Sequence, residues 1–534
     1  MAALDTLRHR VVDIWSVRLV GGKSLLADAL VASVLAGSVF VVHPVSYVIH
    51  HPYWLDEAWV ALAAKGPISR IVRLASSTPV GWLLLVRWIS GRGEQGRLVS
   101  LLFSVGVVIG AYVFARSLPW TSTLLARVAG MTTGGVALLA PISLLRDDLK
   151  QYTADAFFAL VVLGLACRAD ATRRRRNVVQ LGVVSVIAML FSTTSVFVVT
   201  AVFASLTIIA IASRDRDRIR DVLVSAAAVA AAIACYFAVV IIPDDIGSLR
   251  DFWRGHYLSP IPTQAAASTV HRLHALSSVL AMPALLLVVL VVVGCGVLVR
   301  LGRPAIALTI PVLWVEMVVV AIAKRYPFLD ARTSHFLLIV SLTTATIGFV
   351  GVLVALASRT RMLAIGVALV ATAGYIYGAV PYIRARPLKN EDVRSQVEYI
   401  AHHRRADDVI VVNLPGSYGF SYYWPSGRTD YVNDIAVSMG FIARVANLDR
   451  VVYTDGFTGA DTTEAMRRAL ALADRDVTSR IWIVRSHLSV LETTTHLNER
   501  DAWSAAFLAL NLHPVSLHVG PEPLLLVQPR ERSV

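Results

Sequence analysis

Charged residues are scarce in this chain of 534 residues: they make up 16% of it, whereas hydrophobic residues make up 56%. A composition this apolar excludes a soluble enzyme of this length and predicts a polytopic membrane protein. Cysteine is also rare, and the three cysteines, Cys167, Cys235 and Cys295, all lie within or at the edge of apolar runs. None has metal-ligand spacing or an obvious disulfide partner, so we expect small buried hydrophobic side chains.

Long apolar runs, in contrast, are abundant. A membrane-spanning helix needs about 20 mostly apolar residues, because the hydrocarbon layer is about 30 Å thick. We predict about eleven spans, at 26–48, 98–116, 124–143, 153–168, 177–191, 196–213, 221–242, 275–299, 304–323, 336–357 and 362–380. The first run is not followed by a small-residue cleavage site, which favours a retained helix over a removed signal peptide.

One apolar stretch, from Pro79 to Ser90, is too short to span a membrane. Its length predicts an interfacial or re-entrant helix, with Trp82, Arg87 and Trp88 at the surface. If this stretch were a true span, the sides of all later loops would be inverted.

The net charge of +14 comes largely from short basic loops between the apolar runs. These loops are Arg173–Arg176, Arg214–Arg220, Arg300–Arg303 and Arg359–Arg361. We expect a multi-pass protein of the plasma membrane. The positive-inside rule places these loops and the N-terminus in the cytoplasm. The outside then receives 49–97, 144–152, 243–274, 324–335 and everything after about 381. Basic residues in such loops suit anionic lipid headgroups, and they do not form the single soluble face that nucleic acid would need.

The sequence changes character after residue 380. Short strand patterns at 409–413, 450–454 and 480–485 alternate with helix patterns at 391–405, 462–474 and 498–511, and a strand pair at 515–519 and 523–528 closes the chain. Such alternation predicts a compact α/β domain. We therefore divide the chain into a membrane domain, 1–380, whose first outer loop with juxtamembrane helices is 49–97, and a soluble outer domain, 381–534. Acceptor recognition, or a lid over the membrane site, is the expected role of the second domain.

Two adjacent acids, Asp56 and Glu57, follow the first predicted span. Carboxylates at that depth are costly unless they are used, so they are the first candidates for chemistry. We expect one of them to be a catalytic base at the membrane surface. The alternative is an acid that caps a helix at the start of a solvated loop.

Other polar groups are predicted on the same side of the membrane. They are Arg97, Arg146, Lys150, Tyr152, Asp155, Arg254, His256, Arg332 and His335. The arginines and Lys150 could bind a lipid-linked phosphate, because guanidinium offers paired donors and ammonium a point charge. Each cation alone is more often an interfacial anchor than a functional group, and Asp155 could be a favourable charge at a helix start. Four loops that converge on one face favour a shared site.

The order of these motifs resembles that of the GT-C glycosyltransferases, integral membrane enzymes that use polyprenyl-phosphate sugars. The matching stretches are the Asp56-Glu57 pair, Thr78–Trp82 to Glu94 and Arg97, Lys150-Gln151-Tyr152 to Asp155, and Tyr326-Pro327 to Arg332. The resemblance covers about residues 25–340 and is greatest to the branch of protein O-mannosyltransferases and lipid A aminoarabinose transferases, including actinobacterial relatives with a soluble tail. It implies an α-helical polytopic membrane fold with a C-terminal α/β extracytoplasmic domain.

The resemblance also implies roles for individual residues. Asp56 would deprotonate the acceptor hydroxyl, with Glu57 as its partner, while Arg97, Lys150 and Asp155 match donor-site positions. Family members often have Arg-Pro-Tyr where this chain has Lys-Gln-Tyr at 150–152, which keeps the cation and the aromatic ring. No cofactor is certain. Some members use a divalent metal such as Mg or Mn, which leaves Asp56 and Asp155 open as ligands.

The expected reaction is transfer of a sugar, with inversion, from a polyprenyl-phosphate donor to a hydroxyl of a lipoglycan, polysaccharide or protein. Mannose is favoured and arabinose is an alternative. A transporter or flippase for a lipid-linked or anionic precursor is a second class of function, but the sequence has no internal repeat and its charges lie at helix ends. A non-catalytic scaffold or sensor is a third, and it would not need such a convergence of polar loops.

Overall fold

A computed structural model of the chain describes residues 22–74, 78–90, 94–144, 148–242, 252–385, 391–433, 440–456, 458–473, 479–488 and 499–528. Its first part is helical. The longer helices are Gly22–Val42, Arg97–Ser117, Thr123–Leu139, Tyr152–Thr172, Arg175–Phe191, Ser195–Ala212, Arg216–Tyr236, Pro262–Ala275, Ala284–Arg300, Pro304–Ile322, His335–Ala357 and Arg361–Ala385. Within these ranges, seven helices are long and apolar enough to cross a membrane by themselves. Each of the eleven predicted spans coincides with a helix, and the polytopic helical fold is confirmed.

Two predicted spans have wrong boundaries. The span predicted at 26–48 ends at Val42, and a turn before Pro44 separates it from a second helix, Val45–His50. The span predicted at 275–299 is interrupted after the short helix Ser277–Leu280 and restarts at Ala284. A proline stands at each restart, where its fixed φ suits a helix start and its missing N–H is not needed.

Shorter helices lie between the first two long ones. They are Leu55–Lys65, Ile71–Leu74 and Val80–Ile89, with a 3-10 turn at Ile68–Arg70. Val80–Ile89 has ten residues, too few to span, as predicted. Trp88 is exposed, but the prediction that Trp82 lies at the surface is wrong, because its side chain is buried with its ring centroid 5.6 Å from that of Phe103.

Glycines allow close packing between two of the long helices. Helices Ala284–Arg300 and His335–Ala357 approach so closely that a Cβ on Gly294 would lie 2.1 Å from the carbonyl oxygen of Thr344. A Cβ on Gly348 would lie 2.3 Å from the carbonyl oxygen of Leu290. Small residues of this kind let helix backbones meet in a membrane, where burial of apolar surface gives little driving force.

The C-terminal part is a small α/β unit, as predicted. Its strands are β1 Val409–Val412, β2 Thr429–Asn433, β3 Phe441–Val445, β4 Val451–Tyr453, β5 Ile481–Val484, β6 Val515–Leu517 and β7 Leu524–Val527. The main sheet has the order β4-β1-β5-β7-β6; β1 is parallel to β4 and β5, whereas β7 is antiparallel to β5 and β6. Its helices are Val393–His403, Leu414–Tyr423, Gly459–Ala473 and Glu499–Ala509.

Three of these elements were not predicted: the helix Leu414–Tyr423 and the antiparallel pair β2–β3. The helix contains Pro415, Gly416 and Gly419, which are poor helix formers. Asn413 caps it by accepting the N–H of Gly416 at 2.9 Å. Nearly all of its side chains are buried, since it packs between β3 and the helix Leu55–Lys65, so packing rather than propensity stabilises it.

Candidate active site

The site begins with the helix Leu55–Lys65, which we call the Asp56 helix. Asp56 and Glu57 lie in its first turn, where negative charge is favourable near the helix N-terminus. Glu57 Oε2 accepts the N–H of Trp54 at 3.3 Å, which closes the helix start. Most of the helix is buried between the short helix Val80–Ile89 and the helix Leu414–Tyr423. Its first turn therefore has a fixed position relative to both parts of the chain.

Glu57 and Arg97 form a fully buried ion pair. Arg97 Nε donates to Glu57 Oε1 at 2.6 Å, and Arg97 Nη2 donates to Oε2. The other donors of Arg97 bind the carbonyls of Val48, His51 and Pro52, so that all five N–H groups are used. Glu57 also accepts a backbone N–H from the loop that follows the third predicted span. The pair therefore fixes the Asp56 helix to Arg97–Ser117, and Arg97 has no N–H left for a donor phosphate.

Asp56 has different surroundings, with its side chain 21% exposed. Arg332 Nη1 lies 3.6 Å from Asp56 Oδ2, and Lys150 Nζ lies 4.0 Å from the same oxygen. Lys150 is buried, with its ammonium 4.2 Å from the ring centroid of Trp59. Burial lowers the pKa of Lys150, and the neighbouring Asp56 opposes that change. The structure thus brings together one accessible carboxylate and two cations from separate loops.

Arg332 is held in place by its own loop and by Trp253. Asp330 Oδ1 accepts the backbone N–H groups of Arg332 and Thr333 at 3.0 Å each. The guanidinium carbon of Arg332 lies 5.6 Å from the ring centroid of Trp253, a cation–π arrangement. The pKa of Arg332 is raised by Tyr152, Asp330 and Asp56 against the effect of burial, so the side chain stays charged.

Arg254 and His256 occupy the loop that packs against the Arg332 loop. Arg254 is exposed, whereas His256 Nε2 lies 4.0 Å from Asp330 Oδ2. The N–H of Phe328 donates to the carbonyl of His256 at 3.0 Å, which joins this loop to the Arg332 loop. His335 is buried at the start of the helix His335–Ala357.

Tyr152 and Asp155 begin the helix Tyr152–Thr172, and both are buried. Tyr152 is within electrostatic range of Arg332 and Asp56, whereas Asp155 faces the hydroxyls of Ser192 and Thr194. Asp155 thus has different hydrogen-bond partners from the groups around Asp56. Arg146, the remaining predicted residue, lies outside the described residues.

The carboxylates near the site are candidate ligands for a divalent cation. Over the described ranges, no group of at least three His, Cys, Asp or Glu side chains is arranged to hold a metal ion. Asp56 faces two cations and Asp155 faces two hydroxyls, so these carboxylates do not share a coordination site. This arrangement does not fit a Mg or Mn ion bridging Asp56 and Asp155, whose ligands would be converging oxygens.

The C-terminal unit supplies contacts that sequence reasoning missed. Tyr423 accepts the N–H of Tyr53 at 2.7 Å, and its hydroxyl donates to Glu94 Oε1 at 2.7 Å. Arg394 binds the same Glu94 oxygen at 3.0 Å. These bonds join residues about 300 or more positions apart, and no local pattern signals such pairs.

The arrangement was then compared with known proteins. No protein-family model matches the chain, and no curated protein is similar enough to be matched. The archaeal oligosaccharyltransferase AglB of Archaeoglobus fulgidus, solved with an inhibitory peptide and a dolichol-phosphate, matches 96% of this chain and 75% of its own, with a TM-score of 0.51 at 12% identity. The chain has the GT-C fold. An oligosaccharyltransferase of the same archaeon, solved in complex with Zn and sulfate, gives a TM-score of 0.52 over 85% of this chain and 67% of its own, also at 12% identity.

A bacterial structure gives a weaker match. ArnT from Cupriavidus metallidurans, in its apo state, covers 94% of this chain and 97% of its own at 13% identity, with a TM-score of 0.48. That value is too low to support an inference. At 12% identity the archaeal matches establish the GT-C fold of this chain and leave its reaction to be argued from its own site.

Proposed function

We propose that this chain is a membrane glycosyltransferase that moves a sugar from a polyprenyl-phosphate donor to an acceptor hydroxyl, with Asp56 as the base. The observation that carries the proposal is the accessible Asp56 carboxylate between Lys150 and Arg332 at one end of a GT-C helix bundle. The dolichol-phosphate held by the archaeal enzyme supports a lipid-linked donor.

The sugar transfer can proceed with the side chains around Asp56. The acceptor oxygen attacks the anomeric carbon from the face opposite the phosphate, and the bond between that carbon and the phosphate oxygen breaks with inversion. Asp56 takes the hydroxyl proton, a contribution of about 100- to 10,000-fold. Lys150 and Arg332 stabilise the phosphate that leaves with the bonding electron pair, where fixed donors have their greatest effect. Glu57 and Arg97 do not touch the reacting atoms; they position Asp56.

The site has one proposed orientation in the cell. The basic loops lie in the cytoplasm, and the Asp56 cluster and the C-terminal unit lie outside the plasma membrane. A polyprenyl chain would remain in the bilayer while its phosphate meets Lys150 and Arg332. Mannose is the favoured sugar, arabinose the alternative, and the acceptor is a lipoglycan, polysaccharide or secreted protein.

A panel of radiolabelled polyprenyl-phosphate sugars tests this proposal. Membranes that contain the wild-type chain should label one macromolecular acceptor from one donor, and Asp56→Asn should lower that transfer at least about 100-fold with normal expression, because an amide cannot take the proton. Asp217→Asn is the matched control, since the Asp217 side chain is 88% exposed on the helix Arg216–Tyr236, and it should keep wild-type turnover. Substantial turnover by Asp56→Asn would contradict the assignment of the base.

A transporter is the competing function. It would move an intact lipid-linked precursor without transferring label to an acceptor. Binding of a donor with no transfer to any macromolecule, and movement of that donor between leaflets, would favour this alternative.

A further inference from the structure

A buried acid–histidine pair lies at the start of the Asp56 helix and belongs to the C-terminal unit. His487 Nδ1 lies 2.8 Å from Glu391 Oε1, and the two side chains are 9% and 8% exposed. Glu391 Oε2 accepts the backbone N–H of Leu55, the first residue of the Asp56 helix, at 3.2 Å. The imidazole stacks on Trp54, with ring centroids 6.1 Å apart and planes inclined by 21°. The pair therefore contacts both residues that immediately precede Asp56.

The backbone of His487 is in an uncommon conformation. Its φ is +69°, a region that residues with a Cβ rarely adopt. His487 follows β5, at the edge where the parallel strands β1, β4 and β5 end. Strain of this kind persists only where the surrounding contacts require it, and it is concentrated at functional sites. In this conformation the His487 side chain contacts Glu391 and Trp54.

Charges around the imidazole favour its protonated form. Glu391, Asp56 and Glu522 raise the pKa of His487 against the effect of burial, and Glu499 is a fourth acid within electrostatic range. Burial raises the pKa of Glu522 itself to about 7, and its carboxylate accepts the N–H of Leu488 at 3.1 Å.

We infer that Glu391 and His487 are positioning residues of the glycosyl transfer: they fix Trp54 and Leu55 and thereby the direction in which Asp56 presents its carboxylate. Glu391 binds the first N–H of the Asp56 helix, and His487 holds both Glu391 and the Trp54 ring. The C-terminal unit thus completes the active site rather than merely covering it. This inference rests on the proposed function, since it assigns a role in the same reaction.

Two substitutions test the role in catalysis. Glu391→Gln keeps the size of the side chain but loses its charge, and we expect kcat to fall about 10- to 100-fold with the donor KM changed less than about twofold, since small misplacements of a reacting group are costly. His487→Asn keeps a side-chain N–H and tolerates positive φ, so it should fold while losing the ring and its proton. A similar fall in kcat is expected. His402→Asn is the matched control, because His402 is exposed on Val393–His403 and its Nδ1 lies 2.7 Å from the carbonyl oxygen of Glu398 in the same helix.

The pH profile separates positioning from a general structural effect. A protonated His487 loses its proton as the pH rises through its raised pKa, so wild-type kcat should decline on the alkaline side. The profiles are compared in the Lys150→Arg background, because burial also lowers the pKa of Lys150 and an arginine stays protonated. Removing the charge of Glu391 lowers the pKa of His487, and the decline should begin at lower pH in Glu391→Gln and vanish in His487→Asn. Glu522→Gln should keep the decline. If the decline disappears in Glu522→Gln or persists in His487→Asn, the assignment to His487 is overturned.

A measurement without substrate distinguishes this inference from the proposed function. Amide hydrogen exchange at residues 53–58 should be at least about tenfold faster in Glu391→Gln than in wild type, and unchanged in His402→Asn. Unaltered protection of this segment in Glu391→Gln would overturn the positioning role. If exchange accelerates as expected but no sugar donor supports transfer, the proposed function fails while the structural link to the Asp56 helix stands.

Discussion

Neighbouring carboxylates in the first turn of the Asp56 helix have opposite environments. Successive residues on a helix point in directions about 100° apart, so Glu57 turns toward Arg97 while Asp56 turns toward the opening between Lys150 and Arg332. A carboxylate whose oxygens are occupied by fixed donors is a poor base toward a new substrate. The partly exposed Asp56 retains that capacity. The sequence singled out this pair, and its resemblance to the GT-C enzymes implied Asp56 as the base. The buried ion pair of Glu57 with Arg97 supports that choice.

Substitution of Lys150 tests the phosphate side of the site. We expect Lys150→Ala to raise the donor KM about 10- to 100-fold and the acceptor KM much less, because the ammonium would contact the donor phosphate. Lys150→Arg, which restores the cation, should recover part of the loss. Lys324→Ala is the control, since Lys324 is exposed in the loop before the helix His335–Ala357. Kinetics over a range of donor concentrations provides the measurement, and equal losses of donor and acceptor affinity would argue against phosphate binding.

At the scale of elements, the Glu57–Arg97 ion pair connects the Asp56 helix to the helix Arg97–Ser117. Arg97→Lys supplies three donors in place of five and leaves carbonyls of the 48–52 segment or an oxygen of Glu57 without a partner. Disrupting a buried, fully bonded pair costs about 3–5 kcal/mol, and a lysine should recover only a fraction of it. Thermal unfolding in detergent should therefore show a clear loss of stability for Arg97→Lys.

Arg175→Lys is the matched control for that comparison. Arg175 is 75% exposed and lies 3.9 Å from Asp221, and exposed pairs of this kind contribute about 1 kcal/mol or less. Its unfolding temperature should stay close to that of wild type. Equal stability of Arg97→Lys and Arg175→Lys would contradict the view that the buried pair fixes the Asp56 helix.

Some helices of this chain can be predicted from the sequence, and others cannot. Membrane helices follow from local apolar runs, because a membrane imposes a length and a composition on each one. Leu414–Tyr423 could not be predicted in that way, since its stability comes from burial against the Asp56 helix. The loops around Asp56, Lys150 and Arg332 were expected to converge, but the contribution of Glu391 and His487 depends on tertiary contacts hundreds of residues apart.

For the whole molecule, the proposed mechanism requires that the Asp56 cluster and the C-terminal unit lie on one side of the membrane. The structure joins them directly through Leu55 and Glu391 and through Tyr53 and Tyr423. A reporter that is active only in the cytoplasm should therefore be silent when fused after Val534, and active when fused after Gly302 in a basic loop. A cysteine at the exposed position Arg254 should react with a membrane-impermeant reagent added to intact cells. An active reporter after Val534 would place the acid and its cations in the cytoplasm and reverse the orientation proposed for the reaction.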